Sequence, residues 1–178
     1  MVLARLFAPR AEVLAGRALY ASAAAQAREP AFYAALGTPD TVEGRFELFS
    51  MHVALVLLRL KGQGARAEET AQQLFESFIR GLDDALREMG VGDVVVGKRM
   101  RKLGEAFYGR MRSYEQALAA RPDPAELQDL IARTVFDGAR AGRPKAMAAY
   151  ASAAADTLAA MALDDLLVGR VQWPQVQP

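Results

Sequence analysis

Ser50 and His52 lie two residues apart in the apolar segment 48–58. A serine beside a histidine suggests nucleophilic catalysis, because an imidazole can take the proton from the hydroxyl. Residues two apart on a helix do not face each other, however. A triad also needs a third group to orient the imidazole and donors for the developing oxyanion. We therefore expect His52 to be a packed histidine, and we keep a small hydrolase only as an alternative to be checked.

Residues 92–98, GDVVVGK, have the G-x-x-x-x-G-K spacing of a phosphate-binding loop. In that loop a serine or threonine follows the lysine and binds magnesium, whereas Arg99 follows here. The loop should also come directly after a buried strand, and this segment follows a predicted helix. We expect a turn between two helices rather than a nucleotide site.

The sequence offers few ligands for metals or cofactors. Cysteine is absent and His52 is the only histidine, which leaves no thiolate or histidine cluster. The acidic pairs at 68–69, 83–84 and 164–165 are adjacent residues that diverge around a helix, and the Glu-x-x-His pairs of di-iron bundles are missing. We predict a protein that is not an enzyme, with no catalytic residue, no metal site and no cofactor.

Charge is distributed unevenly, although 22 basic and 21 acidic residues nearly cancel. Residues 61–97 contain four basic and seven acidic residues, whereas residues 98–120 contain six basic and two acidic ones. On a helical wheel most of these basic residues lie opposite an apolar stripe. They form a candidate partner-binding face, the basic surface, made of Lys98, Arg99, Arg101, Lys102, Arg110 and Arg112.

Two interpretations of the basic surface remain open. It either pairs with the acidic helix that precedes it, or it binds an anionic partner such as lipid headgroups, RNA or an acidic protein. RNA recognition uses aromatic side chains that stack on bases, and only Tyr108 comes near. We predict no DNA partner. A helical RNA- or ribosome-binding module acting through residues 98–112 is the alternative function.

The whole sequence predicts an all-α protein, a compact bundle of about six to seven helices. Its 178 residues are 52% hydrophobic, enough for one core without disulfides. Apolar residues recur at helical spacing, and Gly and Pro supply the stops. The predicted helices cover 10–28, 30–36, 41–61, 66–89, 95–119, 125–137 and 144–165. The longest uncharged apolar stretch, 48–58, is shorter than the roughly 20 residues that span a bilayer.

Prolines at 122 and 124 interrupt the helical pattern, so we expect a single domain with a core at 1–121 and a helical C-terminal extension at 122–178. The last predicted helix is so rich in alanine that it should pack closely against a neighbour. The tail carries the only tryptophan, Trp173, which either docks on the body or awaits a partner. The Arg- and Ala-rich first 26 residues are similar to a transit peptide, but their helical spacing favours an ordinary first helix.

Several short phrases follow one another in a fixed order between residues 30 and 118. They are FY at 32–33, DTVEGRFE at 40–47, a histidine in an apolar helix at 52, DDALREMG at 83–90, GD at 92–93 and KRMRKLGEAFYGR at 98–110. In this order the chain resembles the ubiquinol-cytochrome c chaperone family, whose members are assembly factors for cytochrome b of the respiratory bc1 complex. The signature positions are Phe32, Tyr33, Asp40, Gly44, Arg45, Phe46, His52, Asp83, Gly90, Gly92, Asp93, Phe107 and Tyr108.

The resemblance implies a chaperone that binds newly made cytochrome b as its client and promotes its maturation into the bc1 complex. It also implies a contact with the ribosome near the exit tunnel, and the basic surface suits peripheral contact with an anionic membrane. The resemblance covers about half of the chain and is less distinct after residue 122. Bacterial members lack a long targeting extension, so we expect a workplace at the cytoplasmic face of the bacterial inner membrane, or in mitochondria for a eukaryotic member.

Overall fold

The computed structural model describes residues 10–139 and 142–177, and this part of the chain is all-α, without a strand. Its eight helices are α1 Ala11–Gln26, α2 Pro30–Ala34, α3 Val42–Leu60, α4 Ala65–Glu88, α5 Asp93–Ala119, α6 Ala125–Thr134, α7 Pro144–Ala160 and α8 Leu163–Leu166. The all-α class is confirmed, and α1 to α7 correspond to the seven predicted helices. Residues 1–9 of the segment similar to a transit peptide lie outside the described residues.

The helices begin and end where local chemistry requires it. The backbone turns into the left-handed region at Gly37 after α2 and at Gly90 after α4, where φ is 72° and 77°. Thr41 caps α3, because its Oγ1 accepts a hydrogen bond from the N–H of Gly44 at 3.1 Å. Pro144 occupies the first turn of α7, where its missing N–H costs nothing.

Helix α3 is the centre of the bundle, in contact with α1, α4, α5 and α7. The sequence predicts one inward stripe through Phe46, Phe49, Val53 and Leu57. The structure leaves Phe46, Phe49 and Leu57 only partly buried and removes Leu48 and all of residues 50–56 from solvent, because neighbouring helices surround the middle of α3. Every chemical group placed on the middle of α3 is therefore inside the protein.

Helix α1 packs against α4 through small residues. The apolar residues whose spacing predicts the helix are not the inward ones: Leu14, Ala18 and Ala21 are exposed and Tyr20 is half-buried, whereas Ala15, Leu19 and Ala23 are buried. The reason is the close approach of the two helices, since a Cβ added at Gly16 would lie 2.5 Å from the Cβ of Gln73. An inward face made of Gly and Ala carries little apolar side-chain volume and is hard to recognise in the sequence.

Helices α4 and α5 form a long hairpin joined at residues 89–92. Phe78 of α4 and Phe107 of α5 are both buried, with ring centroids 4.8 Å apart. Met89 continues the predicted α4 stripe but is 50% exposed at the tip of the hairpin. The α5 side chains that join the main core cluster begin at Phe107, so the first half of α5 lies beyond that cluster.

The C-terminal helices belong to the same core as the rest. Helix α6 contacts α5 and α7, and α7 contacts α3, so one buried cluster includes residues from both sides of position 121. The predicted inward residues of α6, namely Leu127, Leu130, Ile131 and Val135, are all buried. The Ala-rich α7 packs on α3 and α6, as its composition predicts.

The prediction of one helix over 144–165 is wrong at its end. Helix α7 stops at Ala160, the backbone of Met161 is extended with ψ of 142°, and α8 begins at Leu163. The guanidinium of Arg59 donates to the carbonyl oxygens of Leu158 at 2.9 Å and Met161 at 3.2 Å. These bonds satisfy carbonyl groups that the end of a helix leaves unpaired.

In the described part of the chain, no helix combines the length and the apolar composition needed to cross a membrane.

Candidate functional site

The DTVEGRFE phrase builds the start of α3. A Cβ at Gly44 would lie 2.2 Å from the carbonyl oxygen of Pro39, so only glycine fits there. Arg45 forms an ion pair with Asp40 at 2.5 Å, and its guanidinium lies 5.9 Å from the centroid of the Tyr33 ring. Side-chain hydrogen bonding to Arg45 lowers the pKa of Asp40. These signature positions fix the turn that leads into α3.

The last residue of this phrase pairs with the last residue of the AFYGR phrase. The Nε and Nη2 atoms of Arg110 each donate to a carboxylate oxygen of Glu47 at 2.9 Å. Arg110 therefore belongs to a bidentate ion pair between α3 and α5, and hydrogen bonding to Glu47 raises its pKa. Sequence reasoning placed Arg110 on the basic surface and missed Glu47, although both residues end a recognised phrase.

His52 lies at the centre of a buried polar chain. Its Nδ1 is 2.8 Å from the carbonyl oxygen of Leu48, and its Nε2 is 2.9 Å from the hydroxyl of Tyr150. Because a carbonyl oxygen can only accept, Nδ1 carries the proton and Nε2 accepts from Tyr150. The Tyr150 oxygen accepts in turn from Nε2 of Gln26 at 3.0 Å. Burial lowers the pKa of His52 to about 4, so the imidazole is neutral at pH 7.

These hydrogen bonds argue against a hydrolase that uses Ser50 and His52. Both ring nitrogens of His52 are engaged with Leu48 and Tyr150, and the side chains of Ser50 and His52 are fully buried. The Ser50 hydroxyl has no hydrogen-bond partner among the described residues. The imidazole is therefore not placed to take a proton from Ser50, and His52 is the packed histidine expected from its apolar setting.

The C-terminal tail covers this histidine. The indole N–H of Trp173 donates to Oγ of Ser22 at 3.0 Å, and the Trp173 ring meets His52 edge to face at 5.1 Å. Phe32 of α2 also contacts the imidazole edge to face, with ring centroids 5.4 Å apart. Of the two possibilities for Trp173, the structure shows docking on the body.

The hairpin tip carries the DDALREMG and GD phrases. Arg87 donates to Asp83 at 2.6 Å and also pairs with Asp93, which ties the end of α4 to the start of α5. Residues 93–98 are the first turns of α5, with Gly92 at the N-cap. The carboxylate of Asp93 lies in the first turn of this helix, and its negative charge would repel a phosphate from the N–H groups there. The segment is the turn between helices that its context predicts, with Gly90 supplying the left-handed residue.

The basic surface occupies the outward side of α5. Five of its six members are exposed and form no ion pair with any described residue, and they are Lys98, Arg99, Arg101, Lys102 and Arg112. The interpretation in which α4 neutralises them is therefore not supported by the ion pairs of the described chain. Tyr108 is exposed, but its ring lies 5.4 Å from that of Phe75.

Two open grooves of about 490 Å³ each differ in the side chains that line them. The apolar groove runs between α3, α5 and α7 and is lined by Leu55, Leu58, Arg59, Gln63, Leu118, Ala155 and Ala159. The polar groove lies between α5 and α6 and is lined mainly by polar or charged residues, among them Glu126, Asp129 and Arg133. The sequence suggests that Phe-, Met- and Ala-rich helices form a groove for an apolar client helix, but it does not bring these lining residues together, because they come from three helices.

The described residues also include no cluster of three acidic or histidine side chains arranged to hold a metal ion. These features define an all-helical protein whose only histidine is buried in a hydrogen-bonded chain, and whose open surface offers an apolar groove and a basic helix face.

Comparisons with known proteins agree with this class. The model of the family described as ubiquinol-cytochrome C chaperone matches residues 34–173. The crystal structure of the Cbp3 homolog from Brucella abortus is similar with a TM-score of 0.85 and 32% identity, over 99% of this chain and 98% of that one. This chain belongs to the ubiquinol-cytochrome c chaperone family.

A more distant relative is the Xenopus laevis protein named ubiquinol-cytochrome-c reductase complex assembly factor 1. It is 24% identical over 87 residues, which cover 49% of this chain and 44% of the relative. The chain therefore aligns with less than half of that protein's length. The family match at 34–173 continues past residue 122, where the resemblance seen in the sequence is less distinct.

Proposed function

We propose that this protein is a non-enzymatic chaperone that binds newly made cytochrome b and promotes its maturation into the bc1 complex. The family match over residues 34–173 carries this proposal, together with the name of the Xenopus relative as a reductase complex assembly factor. The proposed workplace is the membrane face at which cytochrome b is inserted. In a bacterium that is the cytoplasmic face of the inner membrane, and in a eukaryote it is inside the mitochondrion.

The proposal assigns the apolar groove to an apolar helix of the client. Leu58, Leu118 and Ala155 are partly buried hydrophobic residues that pack on the core and line this groove. Its one cation, Arg59, is already bound to the carbonyl oxygens at the end of α7. An apolar helix can bury its face against the leucine and alanine side chains there, while the Arg59 guanidinium keeps its hydrogen bonds to these carbonyl oxygens. The polar groove has about the same volume but would force such a helix against charged side chains.

A gene deletion tests the function itself. Cells without this protein should lose the haem b absorbance of the bc1 complex while other respiratory complexes remain, and plasmid-borne protein should restore it. A normal bc1 content in the deletion strain would contradict the proposed function.

A pair of variants tests the groove. Ala159→Glu places a carboxylate in the apolar groove, and Ala132→Glu places one in the polar groove. Tagged protein captured from detergent-solubilised cells should retain cytochrome b with Ala132→Glu and lose most of it with Ala159→Glu. Equal capture of cytochrome b by both variants would show that the client binds another surface, and it would not contradict the assembly role.

A further inference from the structure

The first half of α5 is uncovered on its outward side. A Cβ added at Gly97, Gly104 or Gly109 would meet no atom within 4 Å beyond the helix itself. Val96 and Leu86 are buried at the hairpin but do not belong to the main core cluster. The end of the α4–α5 hairpin therefore extends beyond the main core, with Leu86 and Val96 buried at the hairpin and one face exposed to solvent.

That face concentrates positive charge. Residues 98–112 contain six basic residues and one acidic residue, Glu105, and the pair with Glu47 removes Arg110 from the free cations. At 100° per residue, Lys98, Arg99, Arg101, Lys102 and Arg112 span about 160° of the helix circumference, opposite the side of Phe107. At the tip Asp83 and Asp93 are both paired with Arg87, and the exposed acids Glu88 and Glu105, which form no ion pair with a described residue, are outnumbered by the five cations. The remaining positive field is directed outward.

Apolar side chains accompany these cations. Val95 is 46% exposed and falls between Lys102 and Arg99 on the same wheel, and Met89 is 50% exposed at the tip. A surface that combines lysines and arginines with exposed aliphatic side chains suits the headgroup region of a bilayer. Single-stranded RNA would require stacking aromatic rings, and the one exposed ring nearby, Tyr108, leans on Phe75.

We propose that the α4–α5 hairpin docks this protein on an anionic lipid surface, with the cations of α5 on the headgroups and Val95 and Met89 at the interface. The docking concerns the membrane rather than the client, so it can fail without affecting the proposed function. It would hold the bundle beside the site where an apolar client emerges.

Flotation of the purified full-length protein with vesicles tests this docking. The protein should float with vesicles of phosphatidylcholine and phosphatidylglycerol at low salt and remain at the bottom with phosphatidylcholine alone. Arg101→Gln with Lys102→Gln should weaken binding about 30-fold, because each surface cation contributes about fivefold to the affinity. The control, Arg133→Gln with Lys145→Gln, removes two exposed cations from α6 and α7 and should bind as the unaltered protein does.

Three outcomes would overturn the docking. One is the absence of flotation with the anionic vesicles, and another is equal loss of binding in the control variant. The third is a protein that does not float with vesicles but binds purified ribosomal RNA, with binding weakened by the Arg101 and Lys102 changes. That result would assign the basic surface to RNA. Circular dichroism on each variant shows that the helices are intact.

Discussion

Glu47 of α3 and Arg110 of α5 face each other with two hydrogen bonds of 2.9 Å, across 63 residues of sequence. The carboxylate side chain is 12% exposed and the guanidinium side chain 33%, so the pair is largely withdrawn from water. A bidentate geometry fixes the direction of both side chains. The pair therefore sets how α5 lies on the central helix.

Replacing Arg110 by methionine should destabilise the protein by about 2 kcal/mol, because the mostly buried Glu47 carboxylate loses its partner. Arg112→Met is the matched control, since Arg112 is exposed and makes no ion pair with a described residue, and it should change stability by less than about 0.5 kcal/mol. Urea unfolding followed by circular dichroism measures both. Equal stabilities of the two variants would show that the pair contributes little.

The His52 network predicts a loss of stability at mildly acidic pH. Burial lowers the pKa of His52 to about 4 in the folded protein, against 6.5 in the unfolded chain. Well above pH 6.5 the imidazole is neutral in both states. As the pH falls from 6.5 towards 4, the unfolded chain binds a proton that the folded protein excludes. The folded protein should therefore lose about 3 kcal/mol across this window.

His52→Gln isolates this effect because His52 is the only histidine. The variant is expected to be less stable at pH 7, since the hydrogen bonds to Leu48 and Tyr150 are altered. Its stability should nevertheless depend less on pH between 6.5 and 4.5 than that of the unaltered protein. Urea unfolding at several pH values measures the two slopes. An identical slope would mean that carboxylates, and not His52, govern acid unfolding.

The docked tail can be followed through the only tryptophan. Ser22→Ala removes the acceptor of the Trp173 indole N–H and should loosen the tail, at a cost of about 1 kcal/mol. We expect the emission of Trp173 to shift to longer wavelength and iodide to quench it more. Ser113→Ala removes a hydroxyl from exposed α5 and serves as the control. Unchanged emission in Ser22→Ala would show that ring packing alone holds the tail.

Much of the fold can be predicted from local chemistry. Gly37, Gly90, Thr41 and Pro144 mark helix ends through backbone preferences that act within a few residues, so the order of helices α1 to α7 is visible in the sequence. The break after Ala160 is not, and the carbonyl groups there accept hydrogen bonds from Arg59, about a hundred residues earlier in the sequence. Signals within a few residues predict where a helix lies, whereas a helix end that is held by a side chain distant in sequence can be recognised only in the tertiary structure.

The candidate surfaces divide in the same way. The positive side of α5 follows from helical periodicity within one segment. The removal of Arg110 from it does not, because Glu47 lies on another helix. The apolar groove needs three helices to be placed, and Leu58, Leu118 and Ala159 share no spacing that reveals it. The buried chain from Gln26 through Tyr150 to His52 likewise joins residues separated by up to 124 positions.

The contact between α1 and α4 gives the sharpest test of the packing. Gly16→Ala adds a Cβ that would lie 2.7 Å from the Leu74 nitrogen as well as against Gln73, so the helices must separate. We expect a loss of about 2 kcal/mol, typical of overpacking. Gly109→Ala adds the same methyl group where no atom lies within 4 Å and should stabilise α5 by about 0.5–1 kcal/mol, because alanine favours the helix. Thermal unfolding of the two variants should therefore give shifts of opposite sign, and a shift of the same sign would contradict the close approach of α1 to α4.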